Sequence, residues 1–336
     1  MIQQIYTGLA TIAVGVGLAL LYFYGSNWLL DRLLPQGGAD ARATRNIRLA
    51  GAIRPWLFLG PAIFALGLYL VYPVIATIQL SFFDAAGSTY VGFANYTWFV
   101  HDSNIRAALL NNFLWLLVVP AASTFLGLVT AALTDRIAWG NIAKSLVFMP
   151  MAISFVGATV IWKFVYDYRG ADQTQIGLLN AIITGLGGRP EAWIAWIPWN
   201  NFALMVILIW IQTGFAMVIL SAALRGIPEE TIEAAVLDGA NGLQIFFRIM
   251  VPQIFSTIAV VWTTITITVL KVFDIVYAMT NGQWDTDVLA NQMYFWMFQG
   301  TPDFGRSATV AIVIMILVIP IMVWNIRNAR RETEGH

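Results

Sequence analysis

Two membrane-length apolar runs are separated by the stretch EAAVLDGANGLQIFFRIMVP, which occupies residues 233–252. Just before it, Pro228 suits the first turn of a helix, and the two glutamates that follow it favour the positive N-terminal end of that helix. Gly239 can adopt the left-handed conformation that closes a helix, and Asn241 can cap the next one. The stretch therefore predicts a compact helix–glycine–helix element, exposed at a membrane surface and suited to docking into another protein.

The composition places the whole chain among membrane proteins. Of its 336 residues, 59% are hydrophobic and 11% are charged, whereas soluble domains carry about 25% charged residues. The mean hydropathy is +0.73. The net charge is zero, which gives no argument for nucleic acid as a partner. Two histidines and no cysteine exclude thiolate metal sites, disulfides and cysteine nucleophiles, and we expect no metal site in this chain.

Apolar segments long enough to cross a bilayer, which takes about 20 residues, recur along the chain. Seven such segments are found, at residues 3–24, 56–82, 108–133, 142–165, 201–224, 253–279 and 307–326. The first lacks the preceding Lys or Arg of a signal peptide, and its apolar stretch is longer than a signal-peptide core. We therefore expect a retained helix, and an all-α, polytopic membrane protein with about seven transmembrane helices.

These segments suggest two parts. Residues 1–55 are expected to form an N-terminal transmembrane helix and a cytoplasmic linker. Residues 56–336 are expected to form the main transmembrane domain, with the loop at residues 225–252 projecting from it.

The distribution of Lys and Arg predicts the orientation, because these residues concentrate in cytoplasmic connections. If the N-terminus is outside, twelve of them fall in cytoplasmic segments and four in external ones. The opposite orientation would invert that ratio. We therefore expect an external N-terminus, a cytoplasmic C-terminus, and the loop at residues 225–252 on the cytoplasmic side.

The connections on the predicted external side contain many aromatic residues, among them the run WIAWIPW at residues 193–199. Such a segment can be an interfacial belt that anchors the protein in lipid. It can also be a platform that touches an external partner, and both interpretations stay open.

Motifs of catalysis are missing from the sequence. No glycine is followed by lysine, so there is no Walker-type phosphate loop, and neither HExxH nor GxSxG occurs. The chain cannot hydrolyse ATP by that route. We expect a protein that is not an enzyme and has no catalytic residues.

Polar residues inside the sixth apolar segment are informative, because lipid makes them unfavourable unless they face protein or water. Thr264, Thr268 and Lys271 share one face of a helix at i, i+4 and i+7. Asp274 follows Lys271 by three residues, so the two charges can neutralise each other. One interpretation is an internal ion pair, with threonine hydroxyls bonding back to carbonyls. The other is a polar patch that lines a path for an uncharged polyhydroxyl solute.

A second polar position lies midway along the fifth segment, where Gln212 is close in sequence to Trp210 and Phe215. A glutamine at this depth can simply bond across helices. Next to aromatic rings, it also provides the stacking surface and amide that bind sugar rings. We count Gln212 and Phe215 with the sixth-segment patch as candidate residues of a solute path.

The spacing of the opening stretch resembles the EAA loop of binding-protein-dependent ABC importers, EAA-x3-G-x9-I-x-L-P, with Val251 in place of the leucine. The matching positions are Glu233, Ala234, Ala235, Gly239, Ile249 and Pro252. Further stretches resemble the maltose-type sugar permeases, including VGFANY at residues 91–96 and GLLNAII at 177–183. KVFDIVYAMTNG, at 271–282, and the extra N-terminal span are most similar to the first permease subunit of alpha-glucoside importers.

The resemblance implies a division of labour. The chain would contribute a six-helix type I importer core and pair with a second permease subunit. Two ATPase subunits would bind ATP and magnesium, so this chain would hold no cofactor. An external sugar-binding protein would deliver the cargo. The loop at residues 225–252, hereafter the coupling loop, would seat a helix in an ATPase cleft through Glu233, Ala234, Ala235, Asp238 and Gly239.

The resemblance also places the sugar contacts of maltose-type permeases on this chain. They fall on Gln212, Phe215 and Thr268, but also on four apolar residues: Ile211, Ile265, Val269 and Val272. Since maltose permeases have polar groups at several of these positions, contacts are expected to shift to Thr264, Lys271 or Asp274, or to the second permease subunit.

Two other functions remain open. The same architecture could import a non-sugar solute, although a cationic solute would call for more intramembrane acids than Asp274. A stand-alone secondary transporter or an assembly scaffold is the alternative of a different class. Inverted repeats would indicate a secondary transporter, and none is evident.

Overall fold

The computed structural model describes residues 2–35, 41–135, 137–170 and 172–334. Within this part of the chain no β-strand occurs, apart from an isolated antiparallel bridge between Phe83 and Tyr90. The predicted all-α class is confirmed. By its contacts the chain divides into two compact units, Met1–Ala76 and Thr77–His336. Arg136, which entered the charge count above, lies outside the described residues.

The first unit consists of long apolar helices. They are α1 (Ile2–Leu33), α2 (Ala41–Leu66), a π-helical turn (Gly67–Val71) and the start of α3 (Tyr72–Leu80). Tyr22 donates a hydrogen bond from α1 to the carbonyl of Leu57 at 3.0 Å, and Arg54 pairs with Asp31 at 2.7 Å. The expected linker is therefore helical from Ala41 onward. No helix break marks the domain boundary expected after residue 55, and that boundary remains a prediction.

The second unit contains the remaining helices. In chain order they are α4 (Ala94–His101), α5 (Ser103–Thr134), α6 (Gly140–Phe148) with a 3₁₀ turn (Met149–Ala152), α7 (Phe155–Val165), α8 (Leu178–Gly185), α9 (Asn200–Arg225), α10 (Glu229–Leu237), α11 (Gly242–Ile245) with a π-helical turn (Phe246–Met250), α12 (Val251–Gln253), α13 (Phe255–Leu270), α14 (Asp274–Met279), α15 (Leu289–Phe298) and α16 (Phe304–Glu334).

Helices α5 and α9 form the centre of this unit and run parallel. Trp115 near the middle of α5 bonds to Asn201 at the start of α9, and residues further along each helix meet in the same order. A Cβ on Gly127 of α5 would lie only 2.4 Å from the Cβ of Ala216. Only glycine therefore permits this approach, as at other tight helix crossings in membranes. Two spans of the same direction are what the predicted topology requires of the third and fifth segments.

Five helices are long and apolar enough to cross a membrane, or up to seven if each bent pair counts as one span, within the residues that are described. One bent pair is Gly140–Ala152 with Phe155–Val165, at 106°. The other is Gly242–Gln253 with Phe255–Leu270, at 71°. The seven predicted segments thus correspond to these five helices and two bent pairs, and the fourth and sixth segments are the bent ones.

Local sequence explains the first break. Pro150 lies in the 3₁₀ turn after α6, and Ile153 is extended (φ −91°, ψ 137°), which ends the helical path. Ser154 then starts α7 by accepting the backbone N–H of Gly157 at 3.1 Å. An N-cap serine needs a non-helical backbone of its own, so the new helix leaves in a new direction.

Candidate coupling loop and solute path

The first helix within the coupling loop is α10, whose C-terminal end is closed by glycine. Gly239 has φ +78°; its N–H bonds to the carbonyl of Val236, and the N–H of Ala240 bonds to the carbonyl of Ala235, both at 3.0 Å. This paired arrangement is a Schellman motif. A Cβ on Gly239 would meet nothing within 4 Å. The backbone conformation alone, and not crowding, therefore requires glycine here.

The next helix of the loop is capped as its sequence predicts. The side chain of Asn241 accepts the backbone N–H of Gln244 at 2.9 Å, and the side chain of Gln244 accepts the backbone N–H of Asn241 at 2.9 Å. This reciprocal capping box satisfies two N–H groups that a helix start leaves unpaired. Together with the glycine turn, it gives the helix–glycine–helix element a single defined shape.

The expected coupling residues divide between the two faces of this element. Ala235 is buried, as is Ile245 of α11, so this face holds the loop against the rest of the protein. The other four are exposed: Glu233, Ala234, Asp238 and Gly239. Leu237 and Leu243 are also exposed, at 87% and 72%. A surface with free carboxylates and two exposed leucines is available to a partner.

An ionic cluster ties the coupling loop to the spans; we call it the Asp135 cluster. Asp135, just after α5, accepts hydrogen bonds from Lys144 of α6 and from Ser221 of α9, the latter at 3.1 Å. Arg225, at the start of the coupling loop, donates to it from Nε at 2.9 Å and from Nη2 at 2.8 Å. The side chain of Asp135 is 20% exposed. One carboxylate thus joins three helices at the point where the loop emerges.

The electrostatics of this cluster favour the charged carboxylate. Partial burial acts to raise the pKa of Asp135, but the hydrogen bonds and charges of Lys144 and Arg225 outweigh it and hold the pKa below its usual value. This cluster was not predicted from the sequence, because its members are up to 90 residues apart. One feature of the sequence does mark Asp135 as a residue of interest: it is the only acid between Asp102 and Asp167, and it directly follows an apolar segment.

The sixth span differs from the continuous helix that was expected. Helix α13 ends at Leu270, Lys271 has φ −105° and ψ 15°, and α14 starts only at Asp274. Lys271 therefore lies at the end of the helix that carries Thr264, and Asp274 begins a separate helix. The internal ion pair, one of the two interpretations of these charges, is not formed, since no salt bridge in the described part of the chain joins Lys271 to Asp274.

The threonines of α13 bond back to their own helix. Thr264 donates to the carbonyl of Val260 at 2.8 Å, and Thr268 donates to the carbonyl of Thr264 at 3.1 Å. Each hydroxyl keeps its lone pairs, so it can still accept a hydrogen bond. Thr264 is exposed and Thr268 is half-buried. The two hydroxyls can therefore accept hydrogen bonds from a solute, whereas hydrogen-bond donors to a solute would have to come from other side chains.

Gln212 of α9 is such a group. Its side chain is buried, and within the described part of the chain its amide makes no hydrogen bond. The alternative of a cross-helix hydrogen bond is therefore not realised here. Phe215, on the following turn, packs against the hydrophobic core. Helix α13 packs against α9 and α5, which brings the two elements of the expected path together; the roles of their residues remain a prediction.

The family model of the binding-protein-dependent transport system inner membrane component matches residues 123–331, which include α9, the coupling loop and α13. The chain belongs to this family. It is a multi-pass membrane permease, and the resemblance seen in the EAA-like spacing is confirmed.

Curated relatives match the permease over most of its length. The alpha-glucoside transport system permease protein AglF of Rhizobium meliloti is 67% identical over 335 residues, covering 99% of this chain and 100% of that protein. The osmoprotective compounds uptake permease protein GgtC of Synechocystis sp. is 50% identical over 276 residues, covering 82% of this chain and 99% of that protein. The similarity to the permease of alpha-glucoside importers is thereby confirmed.

Solved structures share the fold of the permease. A chain in the crystal structure of a bacterial ABC transporter involved in the import of the acidic polysaccharide alginate superposes with a TM-score of 0.73 at 20% identity, covering 84% of this chain and 99% of that chain. The complex of the bacterial alginate ABC transporter with an alginate pentasaccharide-bound periplasmic protein gives 0.71 at 23% identity, covering 85% and 98%. The ABC importer architecture of the permease is confirmed at the level of fold.

Proposed function

We propose that this permease forms half of the translocation path for an alpha-glucoside. The observation that carries the proposal is the 67% identity to AglF over essentially the whole of both chains. The polar features of the spans are compatible with such a cargo. A neutral sugar needs hydrogen-bonding groups without a net charge, and α9 and α13 offer the amide of Gln212 and threonine oxygens.

We propose further that this chain neither binds nucleotide nor catalyses a reaction. It would work with a second permease subunit, with two ATPase subunits that bind ATP and magnesium, and with an external sugar-binding protein. The absence of a phosphate-loop sequence supports this division. The alginate importer, in which the fold occurs together with a periplasmic protein, is consistent with it.

The orientation belongs to the same proposal. With the N-terminus outside and the C-terminus in the cytoplasm, the exposed face of the coupling loop meets the ATPase. The excess of Lys and Arg on that side supports this arrangement.

The geometry suggests how ATPase movement would reach the path. The glycine turn and the capping box make the coupling loop a rigid unit, and the Asp135 cluster fastens its start to α5, α6 and α9. A displacement of the loop would therefore move these helices together. Since Gln212 lies on α9, the same displacement would alter the access to the expected solute path.

One observation favours osmoprotective compounds as a second class of cargo. GgtC, named for osmoprotective compounds, is 50% identical over 99% of its length. Uptake of labelled solutes decides between the two. Cells that express the full importer should accumulate alpha-glucosides in preference to compatible solutes that lack a glucosyl group. Accumulation of the latter alone would contradict the proposal.

The solute path itself is tested at Gln212. Replacing it by leucine removes the amide and leaves an apolar side chain that still fills much of the space. Because one hydrogen bond to the sugar is then lost, KM for the sugar should rise about five- to tenfold. Thr213→Val is the control on the neighbouring position, because the Thr213 hydroxyl is already bonded to the carbonyl of Ile209 at 2.7 Å. An unchanged KM in Gln212→Leu would remove this residue from the path.

A further inference from the structure

A second candidate site lies at the end of the molecule away from the coupling loop. It is an open pocket of about 430 Å³, between the end of α7, the segment before α9 and the loop after α14. That volume falls within the range of small-molecule sites, about 300–1,000 Å³. The side chains that characterise its lining are four aromatic rings and two opposite charges: Tyr166, Tyr168, Trp193, Trp284, Lys163 and Asp167. We call it the Trp284 pocket.

The pocket lies well away from Gln212, the candidate path residue at mid-depth on α9. Helix α9 starts at Asn200, on the pocket side, and ends at Arg225 in the Asp135 cluster. At 1.5 Å per residue, the two ends are roughly 38 Å apart. Gln212 lies near the midpoint between them. The pocket therefore lies roughly 18 Å from Gln212 along α9, beyond the candidate path residue on that helix.

One wall of the pocket is presented by a strained loop. Trp284 has φ +54°, and its neighbour Asp285 has φ +58°. The left-handed region is unfavourable for residues other than glycine, above all for bulky ones, and its use often marks functional sites. The fold therefore maintains an unfavourable conformation at the residue whose ring lines the pocket.

Asparagines of α5 and α9 hold this loop in place. Asn200, which is fully buried, donates to the carbonyl of Trp284 at 2.6 Å. Asn111 donates to the carbonyl of Asp285 at 2.7 Å, and Asn201 donates to the same carbonyl at 3.2 Å. Three amides from α5 and α9 thus fix two consecutive carbonyls. The position of Trp284 is set by the scaffold before any ligand arrives.

The opposite walls are fixed in the same way. The hydroxyl of Tyr166 donates to the carbonyl of Ala203 at 2.9 Å, and the indole N–H of Trp193 donates to Asn180 at 3.1 Å. Asn180, also fully buried, donates to the carbonyl of Asp167 at 2.9 Å. Because their polar atoms are occupied by the scaffold, Tyr166 and Trp193 offer the pocket ring surface. A preformed site loses less freedom on binding than a flexible one.

The two charges of the lining indicate what such a site would hold. Lys163 is exposed and forms no salt bridge within the described residues, while Oδ2 of Asp167 is buried without a hydrogen bond. Arg169 forms a salt bridge with this oxygen at 3.7 Å. Asp167 is therefore paired, and Lys163 is the charge of the lining that stays available to a ligand. Aromatic faces suit the C–H faces of a pyranose ring, and a carboxylate and an ammonium suit its hydroxyls.

We propose that the Trp284 pocket is a second carbohydrate site, which holds a pyranose ring of the cargo before it enters the path between the spans. The choice of an alpha-glucoside as ligand rests on the proposed function. The site itself rests on the preformed aromatic walls, the polar groups beside them and the volume of the pocket.

The test measures sugar binding to the whole importer in lipid nanodiscs, without its sugar-binding protein. Saturation-transfer NMR with maltose, an alpha-glucoside, reports contact between the sugar and the protein. Trp284→Ala and, independently, Tyr168→Ala should each reduce the signal at least fivefold, while Trp284→Phe should retain most of it. The control is Trp196→Ala, since Trp196 is as exposed as Trp284, at 45%, but does not line the pocket. It should leave the signal within twofold of the wild type.

Two results would overturn the proposal. One is an unchanged signal in both Trp284→Ala and Tyr168→Ala. The other is weaker docking of the sugar-binding protein in these variants with sugar contact intact, which would make the pocket a protein interface. Failure of the proposed function would look different, because the wild-type importer itself would then transport no alpha-glucoside.

Discussion

At the scale of single residues, the coupling loop depends on a backbone angle, and its attachment depends on one carboxylate. Gly239 has open space around it and is constrained only by φ +78°. Asp135 is constrained in the opposite way, by three donors, one on α6 and two on α9. Substitutions at Gly239 therefore test a backbone conformation, and a substitution at Asp135 tests a charge.

Gly239→Val and Gly239→Asn form a matched pair. Valine is strongly disfavoured in the left-handed region, whereas asparagine tolerates it and is found at helix C-termini. We expect sugar uptake to fall more than tenfold in Gly239→Val and less than threefold in Gly239→Asn, with equal amounts of permease in the membrane. If both variants transport alike, the conformation of the turn has no part in coupling.

Asp135→Asn should weaken the attachment of the loop. It should lower the thermal unfolding temperature of the importer by roughly 2–4 °C, the shift that about 1 kcal/mol produces in a domain of some 200 residues. The folded-state pKa of Asp135 is lowered, so its contribution is present above the unfolded value and is lost as pH falls through the folded one. The difference between wild type and variant should therefore be constant from about pH 5 to 8 and shrink below about pH 4.

A difference that shrinks as pH rises toward 8 would contradict this account of Asp135. Asp102→Asn serves as the comparison, because Asp102 accepts only backbone N–H groups at the start of α5 and the indole of Trp98. Since these partners lie at the opposite end of α5 from the coupling loop, Asp102→Asn should leave the attachment of that loop unchanged.

At the scale of helices, close packing and helix breaks determine the shape of the second unit. Much of this was predictable: the segments, the glycine turn after α10 and the cap at Asn241 all follow from local residue chemistry. The break after Leu270 was not, because the apolar composition continues through residues 272–279. The Asp135 cluster was not either, since its partners meet only after α5, α6 and α9 have packed.

The close approach of α5 to α9 predicts that alanine has different effects on thermal stability at two glycines. Gly127→Ala places a methyl group 2.4 Å from the Cβ of Ala216, and overpacking of this kind destabilises by about 1–3 kcal/mol. Gly15→Ala in α1 meets nothing within 4 Å, and alanine is the better helix former by about 1 kcal/mol. Thermal unfolding of the purified importer should therefore shift down for Gly127→Ala and not for Gly15→Ala. Equal shifts would mean that α5 and α9 are not in this contact.

At the scale of the whole molecule, the two ends of α9 lie beside different features. One end carries the coupling loop and the Asp135 cluster, and the other lies beside the preformed Trp284 pocket. Between them lies Gln212, a buried residue whose amide bonds to no other described residue. This arrangement is suited to a permease that takes its energy at one end and its cargo at the other.

The most direct test of the account is ATP-dependent sugar accumulation in proteoliposomes that contain the permease and its partner subunits. With the sugar-binding protein outside, an alpha-glucoside should stimulate ATP hydrolysis and accumulate inside the vesicles, and both effects should be lost in Gly239→Val. Accumulation that persists when the ATPase subunits are omitted would contradict the account, because the permease would then be a stand-alone transporter.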